Sequence, residues 1–216
     1  MPKYVISKSF TTRVPRSERV LAIAEAFGLG LEEREFTLFR ELELQVEPGD
    51  VVYINGQSGS GKSCLLRELA GQMRDSGLRV ADIDQVELRE DCALIDQLGT
   101  TMQSAIELLS RAGINDAYLA IMRPAQLSDG QRYRLRLAKL FESDAHVMVA
   151  DEFGAVLDRV TAKTVAFNAQ KLARASGKVL IVATTHTDLV DELGPSLIIK
   201  KAYQDRVEII KVTTAP

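Results

Sequence analysis

The segment Gly56–Ser63 constrains most tightly how this chain can fold. It reads Gly-Gln-Ser-Gly-Ser-Gly-Lys-Ser and matches G-x-x-x-x-G-K-[ST] at every fixed position. The apolar segment Val51–Ile54 precedes it and is typical of a buried strand. Helical periodicity follows over Lys62–Ser76, which completes the context that this pattern requires. The sequence therefore predicts a phosphate-binding loop between a strand and a helix of an α/β unit.

The chemistry of such a loop assigns roles to its residues. Its glycines let backbone N–H groups turn toward phosphate oxygens without Cβ clashes. We expect Lys62 to reach the β- and γ-phosphates of a nucleoside triphosphate and the Ser63 hydroxyl to bind Mg²⁺. The positive end of the following helix adds to the attraction for the anion. The predicted nucleotide-binding residues here are Gly56, Ser58, Gly59, Ser60, Gly61, Lys62, Ser63 and Cys64.

Strand and helix patterns alternate along the rest of the chain. With 216 residues, of which 46% are apolar, the chain suits a single domain, 1–216, with one substantial core. Buried apolar strands that alternate with helices predict an α/β fold with a mostly parallel sheet. A mostly helical stretch, about 92–140, is interpreted as a helical subdomain. The other predicted strands are 3–10, Glu35–Val46, Leu78–Ile83, His146–Ala150, Lys178–Ala183, Ser196–Lys200 and Val207–Val212, and the other helices open at Pro15 and span Thr161–Ser176.

The net charge and the lengths of the apolar runs argue against some kinds of partner, namely nucleic acid and membrane lipid. The net charge of -3 gives no overall electrostatic reason to bind nucleic acid or anionic lipid. No apolar run reaches the roughly 18–20 residues that cross a bilayer, and the first ten residues lack the apolar core of a signal peptide. We therefore expect a cytoplasmic protein with no direct membrane insertion.

Two carboxylates follow the apolar segment Val147–Ala150. Ligands of open α/β sheets bind at the carboxyl ends of the strands, so Asp151 and Glu152 lie where chemistry is expected. With a phosphate loop in the same chain, Asp151 is predicted to bind Mg²⁺. Glu152 is predicted to act as the general base that polarises the attacking water.

Three further segments carry a resemblance to a known family. Leu127–Gln131 reads Leu-Ser-Asp-Gly-Gln, Asp151–Asp158 reads Asp-Glu-Phe-Gly-Ala-Val-Leu-Asp, and Val182–Asp188 reads Val-Ala-Thr-Thr-His-Thr-Asp. In this order they resemble the signature, the acidic segment with its D-loop, and the switch segment of ABC-type ATPases.

The resemblance implies the fold of a P-loop NTPase of the ABC type. That fold has a mostly parallel sheet, antiparallel edge strands and a short helical α-subdomain. It also implies a homodimer that closes head-to-tail around Mg²⁺ and ATP. In such a dimer Ser128 and Gly130 meet the γ-phosphate bound to the opposite subunit, and Asp158 meets the partner. The resemblance makes His186 a catalytic residue that contacts the γ-phosphate of its own subunit.

The chain departs from the family pattern at two places. Asp129 stands where the signature usually has its first glycine, and Phe153-Gly154 replaces the usual Pro-Thr. Asp129 either adds negative charge near the polyphosphate or caps the following helix, and we favour the cap. Phe153 and Gly154 indicate a divergent branch.

Two roles that the family implies have several candidates. For the glutamine that acts in catalysis and contacts Mg²⁺ we favour Gln85, which follows a strand, over Gln97 and Gln103. Phe36 and Phe39 are the candidates for an aromatic ring stacked on adenine.

The sequence leaves three functions open. The first is a soluble ATPase whose ATP-dependent dimerisation drives a non-transport task. Similarity to a soluble branch associated with a predicted acetyltransferase-like domain favours it, with that domain as a possible partner. The second is the ATPase subunit of a membrane transporter, against which the short separation of Lys62 from Ser128 argues. The third is a nucleic-acid-associated clamp or repair ATPase, for which Arg132, Arg136 and Lys139 offer a basic helix face.

Overall fold

The computed structural model describes residues 2–203 and 205–212, and its central feature is a sheet with a core on both faces. Within these residues the sheet has six strands in the order β4-β5-β6-β3-β7-β8, of which all but β8 run parallel. A separate antiparallel hairpin, β1-β2, packs beside it. The strands are β1 (Lys3–Thr12), β2 (Arg34–Gln45), β3 (Val51–Gly56), β4 (Val80–Asp82), β5 (Val147–Ala150), β6 (Val179–Thr184), β7 (Leu197–Lys201) and β8 (Val207–Lys211).

Helices cover both faces of the sheet. Alternate residues of β3 show this directly, because Val51 and Tyr53 join one buried cluster while Val52 and Ile54 join the other. The helices are α1 (Glu18–Ala26), α2 (Lys62–Asp75), α3 (Met102–Arg111), α4 (Ala117–Ile121), α5 (Asp129–Glu142), α6 (Arg159–Ser176) and α7 (Val190–Leu193). Short 3-10 helices span Ile83–Gln85, Ile95–Gln97 and Pro124–Gln126.

The architecture confirms the predicted fold class, with β1, β2 and β8 as its antiparallel strands. Helices α3, α4 and most of α5 lie in the stretch that was expected to be helical. They pack against the face of the sheet that also receives α6. Over the described ranges, no helix combines the length and the apolar character that crossing a bilayer requires.

Two predicted boundaries were wrong for local reasons. Helix α1 begins at Glu18, not at Pro15, because the Ser17 side chain accepts a hydrogen bond from the backbone N–H of Val20 and caps the helix there. Strand β4 is shorter than Leu78–Ile83. The Asp82 carboxylate accepts the N–H of Asp84 at 3.0 Å and starts a 3-10 turn.

Candidate functional site

The phosphate loop turns tightly between β3 and α2. A Cβ on Gly56 would lie 2.0 Å from the carbonyl oxygen of Lys201, so only glycine lets the end of β3 pass this close to β7. Gly61 has a φ of +99° and precedes the first residue of α2, where the left-handed backbone favours glycine. The chain thus leaves the sheet and enters α2 with its backbone N–H groups at the start of the helix.

Lys62 points back into the loop that precedes it. Its Nζ donates to the carbonyl oxygens of Gly56 at 2.9 Å and Gln57 at 2.8 Å. Burial lowers the pKa of this ammonium, while the negative charges of Asp151 and Glu152 act in the opposite direction. Lys62 and both carboxylates line the same cavity, so the acidic pair faces the phosphate loop.

The acidic pair follows β5 on a constrained turn. The Asp151 carboxylate accepts the N–H of Glu152 at 3.0 Å. Glu152 has a φ of +46°, which costs a residue with a side chain about 1–3 kcal/mol. The following residue, Phe153, anchors the turn to β6, because its N–H bonds to the carbonyl of Ala183 at 2.9 Å. The exposed Glu152 side chain is thereby held at the carboxyl edge of the sheet.

The structure gathers most of the predicted residues around one cavity of about 520 Å³. The phosphate loop forms one wall, the acidic pair a second, and the end of β6 a third. The lining includes the predicted site residues Ser58, Gly59, Gly61, Lys62, Ser63, Cys64, Asp151 and Glu152, together with Thr184 and Thr185. Ser60 lies behind this surface and is only 1% exposed, whereas Gly56 is half-buried and lines a neighbouring cavity.

The cavity suits a magnesium-bound nucleotide. Among residues 2–203 and 205–212, no cluster of three or more His, Cys, Asp or Glu side chains could hold a metal by itself. Magnesium in phosphoryl-transfer sites takes only one or two protein ligands and completes its shell with phosphate oxygens and water. Ser63 and Asp151, which both line the cavity, supply that kind of donor set.

Phe10 of β1 is a cavity residue that the sequence did not indicate. It lies against the phosphate loop, is 46% exposed, and pairs across the hairpin with Phe36. Of the two candidates for an adenine-stacking ring, Phe39 was wrong, because its ring is 1% exposed and packs in the core beneath the Lys201 ammonium, whereas Phe36 is 47% exposed. Strict alternation of β1 would put Phe10 on the same face as the buried Tyr4 and Ile6. The register shifts between Ile6 and Ser9 interrupt that alternation, so the sequence carried no usable signal for Phe10.

Gln85 lies outside this cavity. It ends the 3-10 helix after β4 and lines a separate groove of about 550 Å³ with Arg132 and Arg136 of α5. The competing Gln97 has a structural role, because its side-chain amide bonds to both the N–H and the carbonyl of Arg89 at 2.9 and 3.0 Å. The assignment of Gln85 to catalysis and to Mg²⁺ therefore stays a prediction.

The switch histidine lies at the end of β6. Its N–H donates to Thr184 Oγ1 at 3.1 Å, and its carbonyl accepts from the hydroxyl of Tyr53, a fully buried residue of β3. Burial raises the pKa of Tyr53 to about 12, so this hydroxyl stays a donor at neutral pH. Both backbone polar groups of His186 are thus fixed to the edge of the sheet beside the cavity.

The signature segment begins α5. Ser128 is the helix cap, since its hydroxyl accepts the N–H of Gln131, and the Gln131 side chain accepts the N–H of Ser128 at 2.9 Å. The prediction that Asp129 caps the helix was therefore wrong. Asp129 is the first helical residue, exposed to solvent, where its negative charge favours the positive helix end.

Gly130 packs closely against the D-loop. A Cβ at this position would lie 2.9 Å from the carbonyl oxygen of Val156. The D-loop then ends at Asp158, which caps α6 by accepting the N–H of Thr161 at 3.0 Å. Hydrogen bonds from Thr161 lower the pKa of Asp158, so the cap is ionised at neutral pH.

The unusual Phe153-Gly154 pair is explained by its packing. Phe153 is fully buried and meets Tyr133 of α5 edge-to-face, with 6.5 Å between ring centroids. The Gly154 N–H donates to the Tyr133 hydroxyl at 3.2 Å, and its φ of +76° requires glycine. Burial raises the pKa of Tyr133. The departure from Pro-Thr thus fastens the acidic segment to the signature helix.

The basic face of α5 is engaged within the protein at one of its residues. Arg132 donates to the carbonyl of Pro124 at 2.6 Å and pairs with Glu90 at 2.6 Å. Arg136 lines the groove beside Asp84, whose pKa burial raises, and its Nε has no hydrogen-bond partner among the described residues. The structure therefore removes Arg132 from an open strip for nucleic-acid phosphates, while such a role for Arg136 and Lys139 stays a prediction.

Comparison with known proteins agrees with this geometry. The sequence profile of the family described as ABC transporter matches residues 39–155. The lipoprotein-releasing system ATP-binding protein LolD of Maricaulis maris is 29% identical over 75% of this chain and 85% of its own length. The aliphatic sulfonates import ATP-binding protein SsuB of Delftia acidovorans is 38% identical over 56% of each protein. The macrolide export ATP-binding/permease protein MacB of Rhodopseudomonas palustris is 33% identical over 70% of this chain, which spans only 28% of that protein.

A solved structure shows the same fold at low sequence identity. The dimeric, post-hydrolysis ATP-binding cassette MJ0796, bound to ADP and Pi, has a TM-score of 0.69 and 18% identity over 99% of this chain and 100% of that chain. The profile covers more than half of the chain and includes both the phosphate loop and the acidic pair. The chain therefore belongs to the ABC transporter family, as an ATPase domain with the P-loop NTPase fold, and this family hydrolyses ATP.

Proposed function

We propose that two copies of this chain close head-to-tail around two Mg·ATP and reopen after hydrolysis. One observation carries the proposal. The cavity that gathers the phosphate loop and the acidic pair is lined by neither Ser128 nor Gly130 of the same chain. These two residues lie at the exposed or half-exposed start of α5, where they are available to a second copy. Each cavity is thus one half of a site that the partner's signature completes.

The residues divide the work of hydrolysis. Lys62 and the loop N–H groups would hold the phosphates, and Ser63 and Asp151 would hold a magnesium ion. When bound, that ion neutralises charge on the β- and γ-phosphates. Glu152 accepts a proton from the attacking water, and the proposed γ-phosphate contact of His186 stabilises the charge that develops there. The loop carbonyls that hold the Lys62 ammonium keep it at the cavity until phosphate oxygens take their place.

Crosslinking tests the head-to-tail arrangement. With Cys64 and Cys92 replaced by alanine, Ser58→Cys in the phosphate loop and Ser128→Cys in the signature should crosslink two chains when ATP is present. Ser143→Cys, at the opposite end of α5, is the matched control and should give no ATP-dependent product. Absence of the dimer band, in protein that has bound nucleotide, contradicts the shared site.

The relatives favour a transport role over the non-transport task that the sequence suggested first. LolD, SsuB and MacB are named for release, import and export, and MacB joins its ATPase to a permease. We infer that this domain works with a membrane permease. We propose the groove between α5 and the 3-10 helix that ends at Gln85 as the surface for it, because most of the side chains that line this groove, Glu87 and Arg136 among them, are charged and suit a polar partner segment. Reconstitution with a multi-span partner in vesicles should raise ATP turnover, and Glu87→Lys should abolish that increase.

A non-transport task remains the second candidate. The observation that favours it is the small helical subdomain, in which only α3, α4 and two 3-10 helices lie between Ile95 and α5 within the described chain. An acetyltransferase-like partner would fit this alternative. Turnover that rises with such a soluble protein, and not with a permease, would identify it. Stimulation by DNA or RNA would instead support the nucleic-acid role.

A further inference from the structure

A guanidinium group lies between the D-loop and the switch segment. Arg159 is the first residue of α6 and directly follows Asp158. Its Nε lies 2.6 Å from the Asp188 carboxylate, and its Nη1 lies 3.2 Å from the Nδ1 of His186. One side chain therefore contacts two residues of the switch segment, and one contact is to the imidazole ring itself.

This contact sets the proton arrangement of the ring. Arginine is always protonated in proteins and offers only donors. The Nδ1 that faces it must therefore act as an acceptor, and the proton of the neutral imidazole lies on Nε2. An Nε2–H is a donor, which is what a contact to a phosphate oxygen needs. The backbone of His186 is held separately by Thr184 and Tyr53, so those bonds fix the position of the residue but not the orientation of its ring.

The arginine is itself paired with a carboxylate. The Arg159 side chain is 60% exposed and that of Asp188 25%, and the two Asp188 oxygens are shielded from solvent without a partner in hydrogen-bond geometry among the described residues, so the contact to Nε is an ion pair only. An ion pair through Nε leaves the Nη1 group directed at the histidine. A second ion pair, Lys163 with Glu192 at 2.8 Å, ties the next turn of α6 to α7 without touching His186. Lys163 is therefore a control for Arg159, because both residues form an ion pair at the start of α6 but only Arg159 contacts the imidazole ring.

We propose that Arg159 is a positioning residue for His186, which holds the ring as the Nε2–H tautomer so that it can donate to the γ-phosphate. The proposal rests on the proposed function of His186. It predicts that Arg159 acts through the histidine and not on ATP itself. At metal-bound histidines, loss of the partner that fixes the tautomer typically costs about 10–100-fold in activity, and we take the lower end of that range for His186.

Steady-state kinetics form the first half of the test. Arg159→Met should lower kcat about tenfold or more, with little change in the KM for ATP. In the His186→Ala background the same substitution should have no further effect, because its target is gone. Lys163→Met is the matched control on the same helix and should keep the wild-type kcat. A rise in KM with unchanged kcat would show that Arg159 binds ATP directly and would overturn the proposal.

Nitrogen NMR of the imidazole rings forms the second half. The chain has two histidines, so ¹⁵N-histidine labelling gives a simple spectrum. His146 is an internal reference, because its Nδ1 accepts the N–H of Arg79 at 3.1 Å, far from the site, and its signal also reports that the variant is folded. We expect the Nε2–H tautomer for His186 in the wild type and in Lys163→Met, and a mixture of tautomers in Arg159→Met.

Together, the kinetics and the NMR spectra distinguish the proposed role of Arg159 from the proposed role of His186. An unchanged His186 tautomer in Arg159→Met, or an unchanged kcat while His186→Ala is impaired, refutes the role of Arg159 alone. If His186→Ala keeps full activity, the catalytic role of the histidine fails instead, and the spectrum still shows whether Arg159 sets the tautomer.

Discussion

Gly130→Ala tests how closely the signature helix approaches the D-loop. The added Cβ would lie 2.9 Å from the Val156 carbonyl oxygen, closer than a carbon and a backbone oxygen can approach without displacement. Overpacking of this kind costs about 1–3 kcal/mol. The same change also gains about 0.5–1 kcal/mol, because alanine loses less backbone entropy in a helix than glycine. The net expectation is a loss of about 0–2.5 kcal/mol.

Gly71→Ala supplies the matched control. Gly71 lies within α2, and a Cβ there would meet nothing within 4 Å. Only the entropic gain remains, so this variant should be stabilised by about 0.5–1 kcal/mol. The two variants should thus differ by about 1–3 kcal/mol. In a chain of this size each kcal/mol shifts Tm by about 2–4 °C.

Thermal unfolding followed by circular dichroism measures the difference. Sizing with ATP then reports the functional cost, because a displaced Gly130 also moves Ser128 and should weaken ATP-driven dimerisation. If Gly130→Ala raises Tm as much as Gly71→Ala does, the close approach to Val156 does not exist. The signature and the D-loop would then not be packed as described.

Three further substitutions test other parts of the site. Phe10→Ala should weaken ATP binding by about 1–3 kcal/mol if its ring stacks on adenine, whereas Phe36→Ala should have a smaller effect. Fluorescent-nucleotide titration decides this, and equal losses would argue against a specific role for Phe10. Tyr133→Phe removes the hydrogen bond from the Gly154 N–H and should cost about 0.5–1.5 kcal/mol in denaturant unfolding. An unchanged midpoint would mean that this bond does not hold the acidic segment. Lys62→Met should abolish ATP binding in the same titration while the protein stays folded, and retained affinity would contradict the assigned phosphate loop.

Local sequence patterns were sufficient to predict the phosphate loop and the acidic pair, which form the centre of the site. The phosphate loop and the acidic pair each follow an apolar strand, and parallel strands bring their carboxyl ends to one edge. Their convergence on one cavity was therefore predictable from the sequence. The cap of α5 was also predictable, because Ser128-x-x-Gln131 has the pattern of a capping box. Our preference for Asp129 overlooked that pattern.

Contacts between distant segments were not predictable in this way. Phe10 reaches the cavity because β1 and β2 pair, and the irregular register between Ile6 and Ser9 has no clear signal in the sequence. The contact of Arg159 with His186 depends on how the start of α6 packs beside the end of β6. Similarly, the sequence shows only that Phe153 departs from the family's usual proline. Its packing against Tyr133 explains that departure. Each case is a tertiary contact that neither segment specifies alone.

The oligomeric state of Glu152→Gln, measured with and without ATP, tests the shared site most directly. The amide cannot accept the proton of the attacking water, while Lys62, Ser63 and Asp151 remain to bind Mg·ATP. Light scattering coupled to size-exclusion chromatography should show a larger fraction of dimer when ATP is present, and this gain should disappear in the Glu152→Gln/Lys62→Met double variant. A monomer at every ATP concentration, with bound nucleotide confirmed in the same fractions, would contradict the account.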